Sequence, residues 1–357
     1  MKALEFSAEN SVLKGGNTMD YQNKIAELAK SVKITADQEP LTLGHETAVY
    51  QLIGKPIDQI HAHISDHNTK IGKIINFSTL PGDGAHAPVR SKKDDKPTLN
   101  LVFFCNIAGT CPGVCNDCSH FCYAFDSITQ HPENCILAWG ENTRLFREDP
   151  VRLFAELEQY FDKKRKPIKE FRINVAGELE RYEWLEMWCA FAEGHPETRF
   201  GIYTKRFGFV LRYLKAHGKF PKNFFLNGSE WNHNIDAFKD KLLGKTNIFA
   251  YSDSLKEAAE YVRHGYRICQ AINYLGMHTG IKCDECGYCY GKYGIMNSCV
   301  LDHSGKGRQN LRKEIKELYA SGELENILKV IWDDEEGETL YQQLAATKWI
   351  AKKAKKK

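Results

Sequence analysis

Short apolar runs rich in β-branched and aromatic residues alternate with longer helical patterns from residue 98 to about residue 272. We expect a strand from each short run. Before one of the predicted helices, Asp149 and Pro150 form an N-cap and first-turn pair. That helix would present Val151, Phe154, Leu157 and Phe161 on one face, and other helices are predicted over 21–32 and 182–192. The predicted strands cover residues 98–105, 170–175, 199–204, 223–227, 247–251 and 266–272.

This alternation predicts an α/β fold with a parallel sheet. Six strand–helix steps are too few for a closed barrel of eight strands, so the pattern favours a partial, open (β/α)6 barrel. Ligands of such folds bind at the carboxyl ends of the strands. The predicted organisation is an N-terminal extension (1–70), the barrel (71–275), a cysteine-rich metal-binding module (276–305) and C-terminal helices with a basic tail (306–357).

Charge and hydropathy give few hints of a partner. The net charge is +3 and 42% of the residues are hydrophobic, without an apolar run long enough to span a membrane and without an apolar signal core. We therefore expect a cytoplasmic protein that has no membrane partner. The basic tail KKAKKK (352–357) is a candidate nucleic-acid or anionic-surface contact, although a solvated, frayed end is the more common meaning of such a run.

The cysteines are crowded into two places. Of twelve cysteines, five lie within residues 105–122 and four within 283–299. In a reducing compartment clustered thiols usually bind metal. The first cluster offers two triads, Cys111 with Cys115 and Cys118, or Cys111 with Cys118 and Cys122. Either triad suits an iron–sulfur cluster with one open iron, and a closed structural zinc site is the alternative.

The spacing of the second cluster strongly indicates a metal site but does not identify the metal. Cys283, Cys286 and Cys289 have the spacing C-x2-C-x2-C, and Gly287 permits a tight turn between them. Cys269 upstream or Cys299 downstream would complete four thiolate ligands. Such a set accepts a four-iron cluster or a zinc ion.

Polar residues at the predicted strand ends are candidate cofactor ligands. Glu178 is well placed to accept hydrogen bonds from an ammonium group, and an ion pair with Arg181 is its alternative role. Lys205 is suited to bind a carboxylate or phosphate. The full candidate set is Gly177, Glu178, Tyr203, Lys205, Ser229 and Glu230. Each is weak alone, because strand-end polar residues often cap the next helix.

These residues resemble two related groups of proteins. A C-x3-C-x2-C loop after a first barrel strand, and a Gly-Gly-Glu-like motif after the second, are typical of radical S-adenosylmethionine (SAM) enzymes. In this chain the corresponding positions are Ala176, Gly177 and Glu178. The chain more closely resembles the phage gene product 88 family, through IGKIINFSTLPG (71–82), TCPG with a later CYA (110–124), FRINVAGE (171–178), IYTKR (202–206) and Cys269 with CDECGYC (283–289).

The resemblance implies roles for particular residues. The family spacing C-x6-C-x3-C selects Cys111, Cys118 and Cys122 and leaves Cys115 as an extra thiol. It also implies that Glu178 holds the amino group of SAM and that Cys269 is the fourth ligand of the second cluster. That second cluster would relay electrons or bind substrate.

The chain is thus predicted to be an iron–sulfur protein of radical-SAM type. It would take an electron from an external donor, cleave SAM at a four-iron cluster and act on a substrate that the sequence does not reveal. The competing hypothesis is a non-catalytic protein with two zinc sites that binds nucleic acid through its tail. For Cys135 and Cys189 we predict core positions, and for His61, His63 and His67 no metal.

Overall fold

The computed structural model describes residues 18–31, 55–66, 71–82, 109–111, 122–230, 234–347 and 350. The predicted strand at 98–105, the cysteines Cys105, Cys115 and Cys118, and the basic tail therefore lie outside the described residues.

The centre of the molecule is a mixed α/β structure with an eight-stranded sheet that is parallel except at one edge. The strand order is β1-β2-β3-β4-β5-β6-β8-β7. Among the described strands, β1 and β2 pair antiparallel and all other pairs are parallel. The strands are β1 (Ile64–Ser65), β2 (Ile75–Phe77), β3 (Glu170–Ile173), β4 (Arg199–Thr204), β5 (Phe224–Glu230), β6 (Asn247–Ser252), β7 (Arg267–Ile268) and β8 (Ser298–Leu301).

The far edge of the sheet differs from the expected order. The predicted strand at 266–272 is reduced to the two residues of β7. Strand β8, which the sequence pattern did not predict, lies between β6 and β7 and pairs with both in parallel. Strand β8 lies within the predicted cysteine-rich module (276–305), so this module contributes a strand to the sheet.

Helices flank the sheet, and several begin at side chains that suit a helix start. Asp149 accepts a hydrogen bond from the Arg152 amide (3.1 Å) and Pro150 occupies the first turn, as predicted. The helices are α1 (Thr18–Ser31), α2 (Tyr123–Gln130), α3 (Pro132–Glu148), α4 (Pro150–Asp162), α5 (Tyr182–Gly194), α6 (Phe207–His217), α7 (Lys239–Leu242), α8 (Leu255–Arg263), α9 (Cys283–Cys286), α10 (Gly305–Ser321), α11 (Leu324–Trp332) and α12 (Asp334–Ala345).

One face of the sheet carries an aromatic core. Along β3 and β4 the alternate residues Phe171, Ile173, Phe200 and Ile202 are fully buried, which is the two-residue period of a strand. They pack in one core cluster with side chains of helices α3, α4 and α5, including a stacked pair of Phe146 and Trp184 with ring centroids 3.9 Å apart. Val151, predicted to share the buried face of α4, is 46% exposed.

The cysteine-rich segment, residues 283–291, covers the opposite face. Gly201 in β4 leaves space that the Tyr290 ring fills, since a Cβ there would lie 2.5 Å from the ring. In the same way Gly291 lies against the Phe225 ring of β5. The Asn227 amide donates to the Cys289 carbonyl at 3.0 Å. These contacts fix Cys289 and its neighbours directly over the middle strands.

The helices of the described residues are all too short or too polar to cross a lipid bilayer.

Candidate functional site

The loop after β3 carries the predicted cofactor residues and is held by the segment that follows β2. The Ala176 amide donates to Ser78 Oγ (3.2 Å), and the Thr79 amide donates to the Ala176 carbonyl (3.0 Å). The Glu178 amide donates to Thr110 Oγ1 at 2.9 Å. The loop therefore has a defined position at the carboxyl edge of the sheet.

Gly177 occupies a backbone conformation that requires glycine. Its φ is +84°, and a Cβ would lie 2.0 Å from Thr79 Oγ1 and 2.7 Å from Thr110 Oγ1. By contrast Ala176 is absent from the residues with positive φ, so alanine is unstrained where the related motif has its first glycine.

The Glu178 carboxylate ties the ends of β3 and β4 together. One oxygen accepts from Thr204 Oγ1 (2.6 Å) and from the Leu179 amide (2.8 Å), and the other accepts from the Lys205 amide (2.8 Å). Its hydrogen bonds go to these groups and not to Arg181. A carboxylate offers about four acceptor positions, so Oε2 retains one for a further donor.

Cys111 and Cys122 lie within electrostatic range of each other, and Cys111 within range of this carboxylate. Burial raises the pKa of the Cys111 thiol, and the negative charge of Glu178 raises it further, while Lys205 lowers it. Cys122 is close enough to add to the same effect and stands directly before helix α2. The structure thus groups two predicted metal ligands with two predicted cofactor residues, Glu178 and Lys205.

The four cysteines of the second predicted centre lie close enough for the charges of three of them to act on the fourth, Cys269. Cys283 and Cys286 lie at the two ends of α9, Cys289 lies in the short 3₁₀ turn Tyr288–Tyr290, and Cys269 follows β7. Burial raises the pKa of all four thiols, that of Cys289 to about 12. The charges of the other three thiols raise the pKa of Cys269 further. The left-handed Gly287 (φ +71°) makes the turn between Cys286 and Cys289.

The alternative fourth ligand, Cys299, is a core residue whose carbonyl accepts a hydrogen bond from the Cys269 amide (2.8 Å). Cys299 is fully buried within β8 as part of the hydrophobic core. Among the cysteines only Cys269 contributes to the raised pKa of Cys299. The geometry thus favours Cys269 as the partner of the other three. Across the described residues no three His, Cys, Asp or Glu side chains are gathered closely enough to hold a metal ion as they stand. The thiol donors themselves suit an iron–sulfur cluster or zinc.

The remaining strand-end candidates have internal partners. Glu230 is buried and accepts from Tyr266 Oη (3.0 Å) and Lys239 Nζ (3.2 Å). The Ser229 carbonyl accepts from the Asn234 amide at 3.1 Å. The Arg172 guanidinium carbon lies 3.7 Å from the centroid of the Tyr203 ring. These contacts place Ser229 and Glu230 in the packing of β5 against the following elements.

Two buried polar residues of β3 and its loop were not predicted from the sequence. Arg172 is only 8% exposed, and it is its guanidinium that lies over Tyr203. Asn174 is 3% exposed, has a φ of 51°, and neither polar atom of its amide has a hydrogen-bond partner among the described residues. The signal was present in FRIN, where polar residues alternate with buried Phe171 and Ile173.

The histidines and isolated cysteines have ordinary contacts. His61 pairs with Glu156 (3.2 Å) and His63 with Glu141 (2.6 Å), while His67 lies outside the described residues. Cys189 is fully buried in the core, and the Cys135 thiol donates to the Ser127 carbonyl at 3.7 Å.

Fold and site together define an α/β protein with a thiol- and carboxylate-bearing site at the carboxyl edge of a mostly parallel sheet. The family model described as Gene product 88 matches residues 85–292, which is more than half of the chain. The chain belongs to the gene product 88 family. No curated protein and no solved structure matches it.

Proposed function

We propose that this chain is an iron–sulfur protein of radical-SAM type that binds and reductively cleaves SAM. The observation that carries the proposal is the convergence of Cys111, Cys122, Glu178 and Lys205 at the carboxyl edge of the sheet. The family resemblance supports it, because the corresponding motif holds SAM in radical SAM enzymes. A sheet of parallel strands with its site at this edge is compatible with a partial barrel.

The residues of the site suit the two charged ends of the methionine part of SAM. The remaining acceptor position of Glu178 would accept a hydrogen bond from the amino group, and the Lys205 ammonium would pair with the carboxylate. Cys111, Cys118 and Cys122 would hold the cluster, leaving one iron open. When bound and reduced by an external donor, such a cluster supplies the electron that breaks a carbon–sulfur bond of SAM.

The second set of thiols, Cys269, Cys283, Cys286 and Cys289, would hold a further iron–sulfur cluster or a zinc ion. Free thiols of this number suit a reducing, cytoplasmic location. The substrate that follows SAM cleavage is left open.

The proposal is tested on protein prepared without oxygen. We expect iron and acid-labile sulfide in the purified chain, and 5′-deoxyadenosine after addition of SAM and dithionite. Cys111→Ala and Cys122→Ala should abolish 5′-deoxyadenosine formation while the metal of the second site remains. Cys135→Ala is the matched control, because Cys135 is a half-buried cysteine outside both groups, and it should behave as the wild type.

Glu178→Gln separates SAM binding from cluster assembly. The glutamine side chain has one acceptor oxygen where the carboxylate has two, so it cannot satisfy the backbone N–H groups and also bind the amino group of SAM. We therefore expect SAM affinity to fall about tenfold or more with unchanged iron content. Zinc without sulfide in the wild type would favour the non-catalytic alternative. A fully loaded wild-type cluster that forms no 5′-deoxyadenosine would refute SAM cleavage.

A further inference from the structure

Arg172 is a buried cation in the middle of the sheet. Its neighbours in register are Asn76 on β2 and Gly201 on β4. It shares the face of Gly201 and Tyr203, on which the cysteine-rich segment packs, and its guanidinium carbon lies 3.7 Å from the Tyr203 ring centroid. Arginine is rarely this buried unless something compensates its charge.

In the part of the chain that the structure describes, the groups that favour this charge are the phenols of Tyr203, Tyr290 and Tyr123, and none of them is a carboxylate. Arg172 forms no ion pair with a described carboxylate, and its Nε has no hydrogen-bond partner there. The nearest acidic residue along the strand, Glu170, instead pairs with Arg199. Ring faces attract a cation, but they compensate lost hydration less completely than an opposite charge does.

The groups around Arg172 identify where an opposite charge would arise. The charge of Arg172 acts on Cys283 and Cys289. Tyr290 packs in one cluster with both thiols, and its ring lies against Gly201, the neighbour of Arg172 in register. Thiols and phenols are ordinarily neutral at neutral pH. Thiolates that bind metal carry negative charge in excess of the metal, so metal binding would create the missing counter-charge.

We propose that Arg172 is a positioning residue whose permanent charge balances a thiolate-bound metal centre on Cys269, Cys283, Cys286 and Cys289. The proposal rests on the part of the proposed function in which these thiols bind metal. It holds whether that metal is an iron–sulfur cluster or zinc. The charge of Arg172 then stabilises the metal-bound protein and destabilises the metal-free protein.

The two forms should therefore respond in opposite directions to loss of the charge. The experiment uses the full chain with Cys111→Ala and Cys122→Ala, so that bound metal reports the second centre alone. In Arg172→Gln we expect metal affinity, measured by competition with a chelator, to fall about 10- to 100-fold. The thermal midpoint of the metal-free form should stay the same or rise, because an unpaired buried charge has been removed.

Two further variants separate charge from shape. Arg172→Lys keeps the charge and should recover most of the metal affinity. Arg212→Gln is the matched control, since Arg212 also stacks on a tyrosine ring (Tyr182, 3.7 Å) but lies on the surface helix α6, and it should leave metal affinity unchanged.

The proposal is overturned if Arg172→Gln keeps wild-type metal affinity, or if Arg172→Lys is as weak as Arg172→Gln. It is equally overturned if metal-free Arg172→Gln and Arg172→Met both unfold where metal-free parent protein stays folded, since that is the signature of a purely structural arginine. A parent protein with zinc in place of iron would count against the second iron–sulfur cluster and leave this proposal standing. A parent that binds no metal at these thiols overturns both.

Discussion

Left-handed backbone at two positions shapes the loop that follows β3. Asn174 has a φ of 51° and Gly177 a φ of +84°. Asparagine is among the few residues that tolerate this region, and glycine enters it without strain. The position of Glu178 at the sheet edge therefore depends on the conformations of single residues just before it.

At Gly177 we predict that Gly177→Ala destabilises the protein by about 2–4 kcal/mol, because strain at positive φ and a close contact add together. The contact is with Thr79 Oγ1, which would lie 2.0 Å from the new Cβ. Urea denaturation of the two proteins measures the difference.

The control is Gly208→Ala, in the first turn of α6, where an added Cβ would have no other atom within 4 Å. It should be neutral or stabilising by up to about 1 kcal/mol. Equal destabilisation by the two changes would contradict the steric explanation.

Among elements, α8 and α10 are joined by one carboxylate. Glu314 of α10 accepts from Ser254 Oγ (2.7 Å) and from the first two amides of α8, those of Leu255 (2.7 Å) and Lys256 (3.1 Å). These amides have no partner within their own helix. A negative charge at this end also interacts favourably with the helix dipole. The C-terminal helices are thus attached to the sheet region through a helix start.

We expect Glu314→Ala to lower the free energy of unfolding by about 2–3 kcal/mol, since it removes hydrogen bonds to a charged acceptor. Glu317→Ala on the same helix is its control. Glu317 is 65% exposed and pairs only loosely with Lys313 (3.7 Å), so its loss should change stability by less than about 0.5 kcal/mol. Chemical denaturation of both variants provides the comparison, and similar losses would argue against the capping role.

For the molecule as a whole, buried thiols make the metal-free protein sensitive to alkali. Burial raises the pKa of Cys289 to about 12 and that of Cys135 to about 11, above the value of about 8.5 in an unfolded chain. Their contribution to stability is therefore complete below pH ~8.5 and is lost as the pH rises toward the folded-state pKa.

Accordingly, the free energy of unfolding of the metal-free chain should fall between about pH 8 and pH 10. Cys135→Ala should reduce the slope, because one titrating thiol is gone. Urea titrations at several pH values measure this, and a stability that is constant or rises over the range would contradict it.

Local sequence patterns predicted the central strands well. Strand β4 has the predicted bounds, and β5 and β6 begin within one residue of theirs. The start of α4 at Asp149 and Pro150 was also predicted. Strand period, capping residues and proline act over a few neighbouring residues, so a single sequence contains all the information they need.

The far edge of the sheet could not be predicted in this way. Ser298–Leu301 is a short run whose partners, β6 and β7, lie far away in the chain. Its place between them is decided by long-range pairing and by the cysteine-rich segment that precedes it. The same limit applies to Arg172, because its lack of an ion pair with any described carboxylate is visible only after the cysteine-rich segment has folded over the sheet.

By itself the sequence determined the alternation of strands and helices and the two groups of thiols. Those properties depend on residue type and short spacing. Only the tertiary structure decided that Cys111, Cys122, Glu178 and Lys205 lie within electrostatic range of one another. It also decided that the charges of the other three thiols act on Cys269, and that a buried arginine acts on two of these thiols. Charge balance and burial depend on which distant segments share one volume, and that is fixed only when the chain is packed.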